Sequence, residues 1–346
     1  PSLLLEGSRT NGIGQSEYYD GSDWSATTTA VTSNSTTSPE GLVNATKLVP
    51  NNGATGADIR TNATANVTSA QKYVFSTFAK AAEFDKIQLD FSNSTMGVTF
   101  VTADLTNGTI TSTGDDNTDE GIEDYGNGWY RIYLVGTCIN SGTTGRIFRL
   151  TDNPTGNGTS GIYLYGSQWE AGSYISSYIP NHSGGTITRG VDACTGAGDV
   201  NTFNSTEGVL YAEIAALADD LTYREMSISD GSNNNRIELR YSDSTNRVQA
   251  LLRLSGGNVL VLTATNVDIT SFNKVAFKYK QDDFSLWING VERGTLSSGN
   301  VFPVNTLTEF AFDAGNGGVP FYGKTKQVLV FNTALSDADL TTLTTL

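Results

Sequence analysis

The chain has 346 residues, of which 38% are hydrophobic, 10% aromatic and only 16% charged, with 37 Gly and 7 Pro. Aromatic and β-branched residues are too many for a disordered chain, and sustained Lys, Glu and Ala runs are too few for a mainly helical one. Its formal net charge of −15, without any Lys/Arg cluster, excludes phosphate-backbone binding to nucleic acid and disfavours anionic membrane surfaces.

In the first half, "DKIQLDFS" puts Ile87, Leu89 and Phe91 on one face, and "WYRIYLVGT" opposes Tyr130, Ile132 and Leu134 to Arg131 and Tyr133. "GVTFVTAD", "RIFRLTD" and "GIYLYGSQWE" keep the same period of two, separated by Gly, Asn, Asp or Pro clusters. Short alternating strands without amphipathic helices between them predict an antiparallel sandwich or jelly roll. The stretch Ser167–Asp192 then brings a proline, Gly/Ser pairs and the only histidine, His182. Its composition is that of a joint, since Pro180 cannot donate to a ladder.

A second strand series follows. "NRIELRYSD" places Ile237, Leu239 and Tyr241 on one face, "RVQALLRLSGGNVLVLTAT" reads as a hairpin turning at Gly256–Gly257, and Asn289–Gly290 is a strong hairpin signal. "KQVLVFNTALSDADLTTLTTL" predicts a strand and a short helix with Ser336 as N-cap. The expectation is therefore an all-β chain. Two antiparallel β-sandwich (jelly-roll) domains stand in tandem, residues 1–182 and 200–346, with a joint at 183–199 and a short C-terminal helix. A protease cut between Ser183 and Gly198 should then release two stable pieces.

"GSQWEAGSYISSYIPNHSGGTITRGVD", "DYGNGWYRIYLVGT" and "LLLEGSRTN" resemble phrases of bacteriophage tail-fibre and other virion surface proteins. "YVFSTFAKA" sits in a module similar to carbohydrate-binding jelly rolls. "STEGVLYAEI", "SLWINGVERGT" and "FYGKTKQVLVFNTALSDADL" resemble the concanavalin A-like (laminin G-like) lectin and glucanase superfamily. The resemblance implies a non-enzymatic tail fibre or capsid appendage on the virion surface. Its partners would be bacterial surface glycans and other virion proteins, and its oligomeric state a homotrimer, with no nucleic acid and no membrane insertion. A secreted adhesin or the accessory binding portion of a polysaccharide-degrading enzyme is the alternative, and a purely structural decoration protein a third. No export-signal pattern stands at Pro1, and a chain starting without Met leaves its compartment open.

Retaining glucanases need two carboxylates about 5–5.5 Å apart, and no Glu-x-Asp-x-(x)-Glu run occurs; Glu213 and Glu238 are single acids on separate strands. His182 reads as a loop histidine outside any strand cleft. In "GDDNTDE", Asp115, Asn117 and Asp119 alternate as in a calcium loop, but Glu120 replaces the required Gly. Solvated acids and a structural calcium are the two readings left, and no cofactor is required. Cys138 and Cys194 match no metal spacing; two free thiols are the favoured reading and a disulfide between them the alternative. Trp287 faces away from Phe284, Leu286 and Ile288, so it needs cover by a sugar, a loop or a second subunit. Trp287, Asn289, Trp24 and Tyr241 are the candidate sugar contacts. Trp129 and Trp169 read as packing residues.

Overall fold

The computed structural model describes residues 1–62, 65–150 and 152–346. They form two compact units: Ser8–Gly190, and Pro1–Gly7 together with Val191–Leu346. The first unit is thus an excursion inserted into the second, and the chain passes between them twice.

The Ser8–Gly190 unit has two six-stranded antiparallel sheets. One contains Lys86–Phe91 between Phe100–Asp104 and Arg146–Arg149; the other has Lys72–Ala81 at its centre, between Trp129–Thr137 and Ile162–Ala171. Alternation does the sorting. Ile87, Leu89 and Phe91 face Phe75, Ile132 and Leu134 in one core, as their period of two requires. The outer face of the second sheet is also covered, so Arg131 is buried beside Phe78, Trp129, Tyr165 and Tyr178.

The cover is the segment after Ala171. Glu170 accepts Ser176 N–H and Oγ–H at 3.0 and 2.6 Å, and Gln168 takes Ile179 N–H at 2.7 Å and donates to Glu170. Asn11 reaches the carbonyls of Ser167 and Ile179. The "QWEAGSYISSYIP" phrase therefore encodes a strap whose buried polar groups satisfy one another. Ile187–Arg189 closes the unit by pairing with Arg9–Asn11.

The other unit packs a six-stranded sheet against a five-stranded one. Leu210, Phe277 and Leu286 from the first meet Met226, Ile237, Leu239 and Tyr241 from the second. Leu3–Leu5 is the edge strand of the six-stranded sheet, paired to Gly323–Thr325. Asn289 and Gly290 take φ of 52° and 82°, the two positive values a tight two-residue hairpin needs. The other hairpin turns at Ser255–Gly256, one residue earlier than expected, and Gly257 already opens the next strand. Helix Asp337–Thr344 starts at Ser336, whose Oγ accepts Asp339 N–H, with Asp337 and Asp339 in its first turn.

These contacts revise the domain boundaries. Residues 183–190 belong to the first unit, where Gly184 N–H reaches Gly14 O and Asn181 holds Gly185 O. Residues 191–199 belong to the second, where Asp192 binds Glu6 through both its backbone and side chain, and Phe312 N–H reaches Cys194 O. A single cut at Gly190 leaves the chain joined through Gly7–Ser8. Nicked protein is therefore expected to elute intact on native gel filtration and to separate only in denaturant. Separation without denaturant would mean that Leu3–Leu5 is not held.

Candidate functional site

One end of the Val191–Leu346 sandwich opens into a cleft of about 780 Å³. Its walls come from the start of strand Glu207–Ala216, the turn at Lys280–Gln281, the tip at Leu254–Ser255 and the loop 300–306. Leu254, Val301 and Pro303 give the opening its accessible apolar lining, with Phe302 buried in the core; Gln281 and Asn300 are exposed at it and make no side-chain hydrogen bond among the described residues. Lys280 and Glu207, cross-strand partners, form an ion pair at 3.2 Å on its rim. Asn235 is used internally, accepting Ser255 N–H and donating to Asp230. An apolar lining with unspent amides beside it suits a neutral polyhydroxylated ligand.

A second cluster lies on the five-stranded sheet. Glu238, fully buried, receives Arg236 Nε at 2.5 Å and Arg240 Nη1 at 2.8 Å; Glu225 stands 3.3 Å from Arg240 and 3.9 Å from Arg236. Burial and then the neighbouring Glu238 charge push the Glu225 carboxyl up to about 7, against the pull of both arginines. Sequence reasoning missed this pair because its acids lie on different strands, brought together by the register Ser227–Glu238 and Glu225–Arg240. Glu213 is elsewhere, on the six-stranded sheet, paired to Lys326 at 2.9 Å.

His182 is exposed, yet its Nε2 lies 2.9 Å from Oε2 of the buried Glu17. Tyr178 donates to Glu17 at 2.9 Å and lies 2.7 Å from Ser16 Oγ, which bonds Asn181 O. Burial and then the Glu17 charge raise the Tyr178 hydroxyl far above its ordinary range. This cluster ties the strap to the Ser16–Glu17 turn. The loop reading of His182 lacked that partner, which lies 165 positions away in sequence.

The expected sugar contacts are structural. Trp287 is buried with Val209, Tyr211 and Ala276 beneath Leu340 of the C-terminal helix, and its Nε1–H reaches Ser285. The cover it needs comes from its own unit, so it gives no motive for a second subunit. Asn289 is spent on Lys274 N–H and Asn273. Trp24, expected in a polar loop, stacks on Phe148 at 5.6 Å in the core and donates to Gln15 O. Tyr241 is fully buried beside Phe321. Trp129 and Trp169 are buried. Asp115 and Asp119 are exposed, whereas Asn117 is committed to the Phe100 backbone and Glu120. Among the described residues no three His, Cys, Asp or Glu side chains gather to hold a metal. Cys138 and Cys194 are free.

Residues 216–341 match the concanavalin A-like lectin/glucanases superfamily. No curated protein matches the chain. Among solved structures, the CBM40 of Ruminococcus gnavus IT-sialidase, bound to α2,3-sialyllactose, is 18% identical with a TM-score of 0.36, over 44% of this chain and 96% of that one. A heptameric SAP-like pentraxin from Limulus polyphemus is 11% identical with a TM-score of 0.34, over 43% and 73%. Mouse laminin α1 domains LG4–5 are 8% identical with a TM-score of 0.29, over 96% and 92%. These similarities assign no residue of this chain a role.

Proposed function

We propose that the chain is a non-enzymatic glycan-binding protein of the virion surface, a tail fibre or capsid appendage that presents its modules to bacterial surface polysaccharide. The observation that carries the glycan reading is the cleft at Gln281, Asn300 and Phe302, most of whose lining lies within the lectin-superfamily match. Unspent amides beside an apolar surface suit sugar hydroxyls and ring faces. The virion setting rests on the tail-fibre phrases alone.

Support for a binding rather than a catalytic role comes from the acids. Glu225 and Glu238 are clamped by two arginines, and the latter is fully buried. Both Glu238 oxygens are engaged by guanidinium groups, and neither acid is exposed to a substrate. The function needs no cofactor, and the trimer implied by resemblance would be built on a surface other than Trp287. Unchanged melting in calcium and in chelator, and a trimeric mass by light scattering on the intact appendage, are the expected results. A chelator-sensitive melt would restore a calcium at Asp115–Asp119, and a monomeric mass would remove the trimer.

An array of bacterial capsular and O-antigen polysaccharides is expected to show binding that Asn300→Ala with Gln281→Ala weakens about tenfold or more, the loss of one or two ligand hydrogen bonds. Both residues are exposed, so the fold is expected to persist. A silent array, or capture unaffected by the double variant, would sink the cleft as the sugar site. Product release from those polysaccharides, abolished by Glu238→Gln, would overturn the non-enzymatic reading.

A further inference from the structure

The Ser8–Gly190 unit contains a cavity of about 580 Å³ in which Arg146 forms one wall. Arg146 is 1% exposed. Its guanidinium carbon lies 5.1 Å from the Trp169 ring, itself stacked on Tyr73 at 5.1 Å and 5°. Nη1 donates to Thr144 O at 3.2 Å, and among the described residues the buried Nε has no acceptor. Among the described residues no carboxylate comes within ion-pair distance of it, and Ala63, Thr64 and Thr151 carry no charge. A buried guanidinium without a counter-charge is costly unless something pairs it. Burial already lowers its pKa to about 10, with Asp23 acting in the opposite sense.

The other charged groups at this cavity do not supply the partner. Glu170 is saturated by Ser176, Gln168 and Arg9. Asp23, also in the lining, is half-buried and acts on Arg146 only through space. Its carboxylate packs so closely on Gly14 that a Cβ there would stand 2.5 Å from Oδ2, so the backbone itself forms that wall. The lining thus holds a cationic fork fixed against an aromatic stack and a carboxylate able to accept a hydroxyl.

We infer that this cavity is a second binding site, in which Arg146 pairs with the carboxylate of an acidic monosaccharide unit while Asp23 accepts one of its hydroxyls. Arginine suits the task because its fork can bind both carboxylate oxygens in one plane. The volume falls within the range of small-ligand sites. That the ligand is a sugar rests on the glycan reading above; the carboxylate site at Arg146 does not. The overall negative charge of the chain disfavours long polyanions, and a single enclosed arginine selects one carboxylate rather than a charged surface.

The test titrates the intact chain with D-glucuronate, D-glucose and acetate, followed by the NMR signals of the Arg146 Nε–H and Trp169 indole N–H. Glucuronate is expected to shift both saturably and competitively with acetate, and more weakly at high salt. Glucose at the same concentrations should shift neither. Arg146→Gln should weaken glucuronate at least tenfold. Should that buried substitution unfold the unit, Asp23→Asn provides the second variant, expected to tighten acetate several-fold by removing a like charge from the lining and glucuronate by less, because the sugar also loses a charged hydroxyl acceptor. No saturable shift with either glucuronate or acetate, or an equal response to glucose, overturns the site. Acetate binding without glucuronate binding overturns the sugar as ligand. Loss of polysaccharide binding through Asn300 and Gln281 alone leaves these titrations unaffected, so the two readings fail separately.

Discussion

Glu238→Ala is expected to destabilise the Val191–Leu346 unit by about 3–5 kcal/mol, the cost of removing one partner from a buried ion network. Glu238 is fully buried and holds Arg236 at 2.5 Å and Arg240 at 2.8 Å. Without it, the one carboxylate left near both guanidinium groups among the described residues is Glu225, at 3.9 and 3.3 Å. Equilibrium denaturation of the intact chain measures the loss, and a change below about 1 kcal/mol would place the network among solvated pairs. The same cluster sets a pH dependence. Glu225 titrates from 4.5 in the unfolded chain to about 7 in the folded one. Between those values the folded state keeps a proton that the unfolded state has released. This contribution to stability is complete below pH 4.5 and is lost as pH rises through 7. Glu225→Gln should flatten that part of the stability profile, and an unchanged slope would assign it to other groups.

Removing residues 1–7 is expected to lower the stability of the same unit by about 2–4 kcal/mol while leaving Ser8–Gly190 almost unaffected. Leu5, at 6% exposure, belongs to the Val191–Leu346 core, and burying one leucine is worth about 1.5–3 kcal/mol. The edge ladder and the two Glu6–Asp192 hydrogen bonds add about 0.5–1.5 kcal/mol each at most. The truncation also bares the Gly323–Thr325 edge, so concentration-dependent association is expected to accompany it. Differential scanning calorimetry of residues 8–346 against the intact chain separates the two transitions. Equal loss in both units, or in neither, would contradict the assignment of Leu3–Leu5.

Strand interiors were legible in the sequence because a period of two survives any choice of neighbour. Ile237, Leu239 and Tyr241 share the core as their spacing required, and Asn289–Gly290 turns with the two positive φ values its chemistry favours. Pairing partners were not legible, since nothing in "LLLEG" names Gly323–Thr325 across the intervening chain. For the same reason the sequence could not assign residues 1–7 to the Val191–Leu346 unit. Nor could the sequence show which distant segment covers the outer face of a sheet: Leu340 over Trp287, and the Ser173–Asn181 strap over Phe78 and Arg131. Trp24 illustrates the limit from the other side. Its polar neighbours suggested a loop, yet one carbonyl for its indole N–H and one ring to stack on are enough to bury it.

The ladder between Arg9–Asn11 and Ile187–Arg189 has a consequence for the order of folding. Leu3 must find Thr325, 322 positions away in sequence, a search that in an open chain makes for slow, late closure. Once Ser8–Gly190 has folded, its two ends are tied together by that ladder. The excursion then counts as a short link rather than a long loop, and part of the closure entropy has already been spent. The inserted unit acts as a clasp for its host: refolding of the Val191–Leu346 edge should wait on it, and weakening the clasp at Thr10 or Thr188 should slow that step while leaving the rest of the host sandwich to fold at its own rate.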